Sequence, residues 1–208
     1  MKLFLYSLAL STEQAASLTA LVGKDPKDIT FALIENAADI VPNSQDWLGG
    51  FREMLYGNGY QLEQVDLRNW WFKRKALEEK LAGKDVIWLG GGHTYYLRWM
   101  LKETGADTII KELTKKGTVY AGWSAGAIVA GPTTRYFNLM SDDPRDAPEL
   151  ILDGLHLTDT VVVPHLDNKE FALDAQNVNQ HLKDAGYNTV LLRDSQALII
   201  NEGSHKII

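Results

Sequence analysis

Short, nearly continuous apolar runs alternate along the chain with longer stretches in which apolar residues recur at helical spacing. The runs predict strands near 2–8, 29–35, 60–66, 85–89, 117–122, 160–164 and 189–201, and the stretches between them predict helices near 12–22, 44–57, 72–82, 94–104, 107–116, 125–131 and 169–185. This alternation argues for a mainly parallel sheet covered by helices on both faces. Ile29-Thr30-Phe31-Ala32-Leu33-Ile34 lacks the polar alternation of a half-exposed strand, as expected for one buried on both sides. Asn201-Glu202-Gly203-Ser204, set between two apolar runs, reads as a hairpin.

No repeat, linker or low-complexity tract divides the 208 residues, of which 45% are hydrophobic, so 1–208 is read as one α/β domain. The apolar stretch Met1 to Leu10 is at the short limit for a signal peptide and lacks a clear small-x-small cleavage site. A buried first strand explains it better, and a cytoplasmic location is expected. No stretch approaches the 18 or so apolar residues of a membrane helix.

The chemistry concentrates at one junction, Ala121-Gly122-Trp123-Ser124-Ala125-Gly126-Ala127, where a buried run passes through a tight turn into a small-residue helix. A serine at such a corner is held in a strained conformation that exposes its hydroxyl, and side chains at the flanking glycines would collide with the turn. The start of the next helix leaves N–H groups unpaired, suited to developing negative charge. The pattern is short enough to arise by chance or in a phosphate-binding turn. Two further segments point to chemistry. Asp85 to Leu89 runs into Gly90-Gly91-Gly92-His93-Thr94, a loop with bare N–H groups of the kind that supplies an oxyanion donor in serine hydrolases. Val161-Val162-Val163-Pro164-His165 delivers a histidine to the carboxyl end of a strand, the side of an open α/β sheet where sites form.

Charge and composition narrow the classes. A net charge of −6 argues against general binding to nucleic acid or anionic membranes. The absence of cysteine removes disulfides, thiolate catalysis and cysteine-based zinc sites. Asp142, Asp143 and Asp146 lack the spacing of a calcium loop, so neither a metal nor another cofactor is expected.

The motifs G-W-S-A-G-A, G-G-G-x-T and P-H occur in the order and approximate spacing of peptidase E, the α-aspartyl dipeptidase family of serine peptidases related to cyanophycinases, and the chain resembles that family. The resemblance implies a three-layer, flavodoxin-like fold, also described as class I glutamine-amidotransferase-like. It implies Ser124 as nucleophile, His165 as general base, and the N–H groups of Gly92 and Ala125 as the oxyanion hole. The family's glutamate that orients the histidine corresponds here to Asp194, with Asp167 as the rival acid. It further implies short peptide substrates with an N-terminal aspartate. The chain departs from the family pattern in three places: Asp194 is one methylene shorter, His93 stands where asparagine is frequent, and no arginine occurs between Arg145 and Arg193 to meet a substrate aspartate.

The polar segment from Arg135 to Asp153 lies between the elbow and His165 and reads as a solvated loop or a substrate rim. Gly91 and His93, with Arg135 and Arg145, are the substrate-binding candidates, the arginines because guanidinium matches carboxylate geometry. The leading reading is a serine dipeptidase acting through an acyl-enzyme, as a monomer or homodimer. A non-catalytic small-ligand binding module on the same fold, or an esterase, is the alternative.

Overall fold

The computed structural model describes residues 1–208. Its elements run β1 (Lys2–Tyr6), α1 (Thr12–Val22), β2 (Thr30–Ile34), α2 (Ser44–Gly57), β3 (Gln61–Gln64), α3 (Arg74–Leu81), β4 (Val86–Leu89), α4 (Thr94–Thr104), α5 (Ala106–Lys115), β5 (Val119–Trp123), α6 (Ala125–Val129), β6 (Thr160–Val163), α7 (Ala172–Asp184), β7 (Asn188–Leu191), β8 (Ala197–Asn201) and β9 (Ser204–Ile207). Seven strands form the main sheet in the order β3-β2-β4-β5-β1-β8-β9. The first five are parallel, while β8 pairs antiparallel with β1 and closes the C-terminal hairpin with β9.

The period of two along β1 divides its side chains between two cores. Leu3 and Leu5 join a cluster that includes Leu97 and Leu101 of α4 and Ile109 and Ile110 of α5. Phe4 and Tyr6 face the opposite layer with Leu18 of α1 and Leu48, Phe51 and Leu55 of α2. The result is the mainly parallel, three-layer α/β arrangement expected from the alternation of elements. Helix ends follow local chemistry: α1 starts at a reciprocal Ser11–Gln14 capping box and stops at Gly23, whose φ of 82° suits a residue without Cβ. No helix is long and apolar enough to cross a membrane.

The chain departs from the predicted elements mainly after residue 189. The run 189–201 is two strands in two sheets, because the turn closed by Gln196 N–H donating to the Arg193 carbonyl interrupts it. β7 pairs in parallel with β6 as a separate two-stranded sheet, whereas β8 belongs to the main one. Val161 and Val163 of β6 pack with Ala175, Val178 and Leu182 of α7 in a third core. The helix expected over 72–82 begins only at Arg74, after Phe72 adopts a φ of 58°. The one expected over 125–131 is a five-residue turn of helix.

Candidate active site

Five chain segments meet beyond the carboxyl ends of β1, β4, β5, β6 and β7. Ser124 follows β5 with φ 47° and ψ −108°, a conformation that few L-residues adopt. The surrounding backbone leaves room only for glycine on either side: a Cβ at Gly122 would lie 2.5 Å from the Gly126 carbonyl oxygen, and one at Gly126 would lie 2.2 Å from that of Leu89. The elbow is therefore pressed against β4, and its N–H is fixed to the Tyr6 carbonyl of β1 at 3.1 Å. Ala127 and Ile128 both donate their N–H to the Ser124 carbonyl, which starts α6 at the serine itself.

Ser124 Oγ lies 2.9 Å from His165 Nε2, and His165 Nδ1 lies 2.7 Å from Asp194 Oδ1. The carboxylate at Nδ1 places the ring proton there and leaves Nε2 as an acceptor for the serine hydroxyl. The two parallel strands of the small sheet explain this meeting. β6 ends before Pro164-His165 and its neighbour β7 ends before the turn that carries Asp194, with Val163 and Leu191 in register. Burial pushes the Asp194 carboxyl up, but hydrogen bonds from Asn168 and His165, the His165 charge and a hydrogen bond from Ser7 outweigh it and hold the group below the ordinary carboxylate range.

Ser7 and Asn168 belong to none of the sequence motifs, yet both join this line of contacts. Ser7, fully buried just after β1, donates from Oγ to Asp194 Oδ1 at 3.1 Å and accepts the His165 N–H at 2.8 Å. That second bond holds His165 in a left-handed conformation with φ 69°. Asn168 Nδ2 donates to Asp194 Oδ2 at 2.8 Å. A polar residue directly after the buried apolar run Leu3, Phe4, Leu5 and Tyr6 of β1 is the one signal that would have singled out Ser7. Asp167 does not contact the imidazole; its Oδ1 accepts the Asp194 N–H at 2.8 Å and so anchors the turn that presents Asp194.

The glycine loop after β4 packs against the serine. A Cβ at Gly91 would stand 3.3 Å from the Ser124 Cβ, and one at Gly92, where φ is +133°, would run into the Ala37 carbonyl at 2.3 Å. The N–H groups of Gly91 and Gly92 donate to no backbone carbonyl. Ala125, as first residue of α6, has no carbonyl one turn back to receive its own. With only five residues in α6, these individual N–H groups, rather than a long helix dipole, are the local source of positive potential.

A cleft of about 720 Å³ opens over Ser124 and His165. Gly91, Gly92 and His93 line it, with Trp47 and Trp123 among its apolar walls. Trp123 is held in an aromatic stack by Phe51, at 4.9 Å between ring centres, and by the edge of Trp47 at 5.2 Å. Arg135 and Arg145 do not line the cleft, contrary to the expectation for a substrate rim. Arg135 is exposed, and Arg145 lies on the surface paired with Asp143 at 2.5 Å. Their residue type suited a carboxylate, but the 3-10 turn at Pro144–Asp146 folds Arg145 back on its own loop. From the same segment Asp142 and Asp146 do line the cleft. Chemically, the contacts join a hydroxyl, an imidazole and a carboxylate in one line beside unpaired N–H groups, a set suited to acyl transfer.

A family model described as peptidase family S51 matches residues 10–208. An uncharacterized peptidase of Listeria monocytogenes is 35% identical over 130 residues, covering 61% of this chain and 61% of the relative. A protein named peptidase E from Nostoc is 29% identical over 147 residues, covering 71% of this chain and 55% of the relative. The match thus spans less than two thirds of the length of either relative. A solved structure from Listeria monocytogenes EGD-e, described as a candidate peptidase E, superimposes with a TM-score of 0.86 at 26% identity, covering 100% of this chain and 97% of that one.

Proposed function

The chain belongs to peptidase family S51, the peptidase E family, and from that premise we propose that residues 1–208 act as one catalytic unit, a serine exopeptidase that hydrolyses short peptides. The observation that carries the reading is the unbroken line from Ser124 Oγ through His165 to Asp194, at 2.9 and 2.7 Å. His165 takes the Ser124 proton as Oγ attacks the peptide carbonyl, and the imidazolium then passes it to the leaving amine. Asp194 keeps the ring in the required tautomer and stabilises its charged form. The N–H groups of Gly92 and Ala125 receive the oxyanion, and water releases the acyl group in a second round of the same transfers.

The cleft has the size of a small-molecule site, which favours dipeptides and similar fragments over folded proteins. The preference for N-terminal aspartate implied by the family resemblance finds no lysine or arginine along the cleft to carry it. Removing the hydroxyl should leave the fold and cost on the order of 10⁶ in turnover, the scale for loss of a serine nucleophile. Peptide hydrolysis by a folded Ser124→Ala protein is the test. Activity within tenfold of the unmodified protein would contradict the assignment.

A further inference from the structure

The charged side chains along the cleft are one-sided. Asp142, Asp146 and Glu170 line it together with His93 and His165, and no lysine or arginine does. The His165 proton at Nδ1 is committed to Asp194. Thr94 Oγ1 and Trp123 Nε1 are buried neutral groups without a partner, and the start of α4 and the His93 ring, which could also greet a substrate carboxylate, are both faced by the chain's own carboxylates. Asp142 Oδ2 accepts the N–H of Thr94, the first residue of α4, at 2.9 Å. His93 Nδ1 accepts the Tyr96 N–H at 3.2 Å, so in the neutral ring the proton sits on Nε2. That atom is buried without a hydrogen-bond partner on a residue only 6% exposed, and Asp146 Oδ2 stands 3.6 Å away. An acidic side chain entering the cleft would therefore meet negative charge where a selective site would offer a cation.

We propose that the cleft selects peptides whose first residue is uncharged, drawing the free α-ammonium toward Asp142, Asp146 and Glu170 and excluding N-terminal aspartate and glutamate. This rests on the peptidase reading of the same cleft. The first side chain lies against the apolar wall built from Ile40, Val41, Trp47, Trp123 and Phe171. Burial pushes the Asp142 carboxyl up while the Thr94 N–H opposes it, so an arriving ammonium would relieve a carboxylate that has no lysine or arginine beside it.

The test compares Asn-Leu with Asp-Leu, which match in shape and differ in charge. Calorimetric binding is measured on the Ser124→Ala protein and kcat/KM on the unmodified one. The proposal expects Asn-Leu to bind at least about tenfold more tightly, the scale of a like-charge penalty in a partly desolvated site. Asp146→Asn should shrink that ratio, and N-acetylation of Asn-Leu should weaken binding by a similar factor. Equal or tighter binding of Asp-Leu, binding indifferent to acetylation, or no binding of either dipeptide would overturn it. Preferential binding of Asn-Leu to the variant without turnover by the unmodified protein would uphold the selection and defeat the hydrolase reading instead.

Discussion

Ser124 pays for its exposure in backbone strain. Its φ of 47° and ψ of −108° cost an L-residue on the order of 1–3 kcal/mol, which the surrounding strands sustain. Replacement by glycine should therefore give a more stable protein than replacement by alanine, by about 1 kcal/mol, since both lose the hydroxyl and only glycine relieves the strain. Denaturant unfolding of the two variants measures the difference; equal stability would show that the corner is not strained. The two carboxylates separate in the same way. Asp194→Asn should cost roughly 10⁴ in turnover, because the imidazole loses its orienting anion. Asp167→Asn should cost far less, because an amide oxygen can still accept the Asp194 N–H. The Asp194 pKa is depressed in the folded protein, so its stabilising contribution is present above the unfolded value of about 3.9 and is lost as pH falls through the folded value. Thermal unfolding should accordingly show the gap between the unmodified protein and Asp194→Asn narrowing from pH 6 to pH 3. A constant gap would mean that the charge is not what the contacts stabilise. Ser124 and His165 were legible from glycine spacing and a strand end and Asp194 from the family resemblance, and the structure brings the three together; Ser7 and Asn168 join them through hydrogen bonds that leave no spacing to read. Arg135 and Arg145 misled because residue type does not reveal the direction of a side chain.

The loop Gly90-Gly91-Gly92 shows how one element can hold two different constraints. At Gly92 a methyl group meets the Ala37 carbonyl at 2.3 Å in a left-handed conformation, so Gly92→Ala should disrupt the loop and lower stability as well as turnover. At Gly91 the nearest atoms are 3.3 Å away, on Ser124 and Trp123. Gly91→Ala should keep nearly normal stability and lower kcat by at least about tenfold, and at most by the roughly 10²–10³ of a lost oxyanion donor, by crowding the attacking hydroxyl and the bare N–H groups. Parallel thermal unfolding and peptide hydrolysis distinguish the two; a stable, fully active Gly91→Ala protein would place the loop outside the reacting region. At this scale most helix and strand bounds could be read from periodicity, because strands buried between helices are almost continuously apolar. The break between β7 and β8 could not, since a short polar turn flanked by apolar residues resembles the polar face of one long strand.

Across the whole molecule, the alternation of strands and helices foretold the mainly parallel, three-layer arrangement, but not the order of strands or the separate β6–β7 sheet. Strand order depends on which crossovers pack best, a property of the assembled core and not of any local window. That hidden order sets the geometry of the proposed site: β1 and β4 flank β5, so the Tyr6 carbonyl and the glycine loop meet the elbow, while β6 and β7 bring His165 and Asp194 from a second sheet to Ser124 and Ser7. Residues from 7 to 194 thus converge on one hydroxyl, and the central claim is that this convergence activates it. Labelling with a fluorophosphonate, followed by peptide mapping across pH 6 to 9, tests the claim most directly. The account predicts rapid, stoichiometric modification confined to Ser124 and greatly slowed in His165→Ala; no modification of Ser124 in the folded protein anywhere in that range would contradict it.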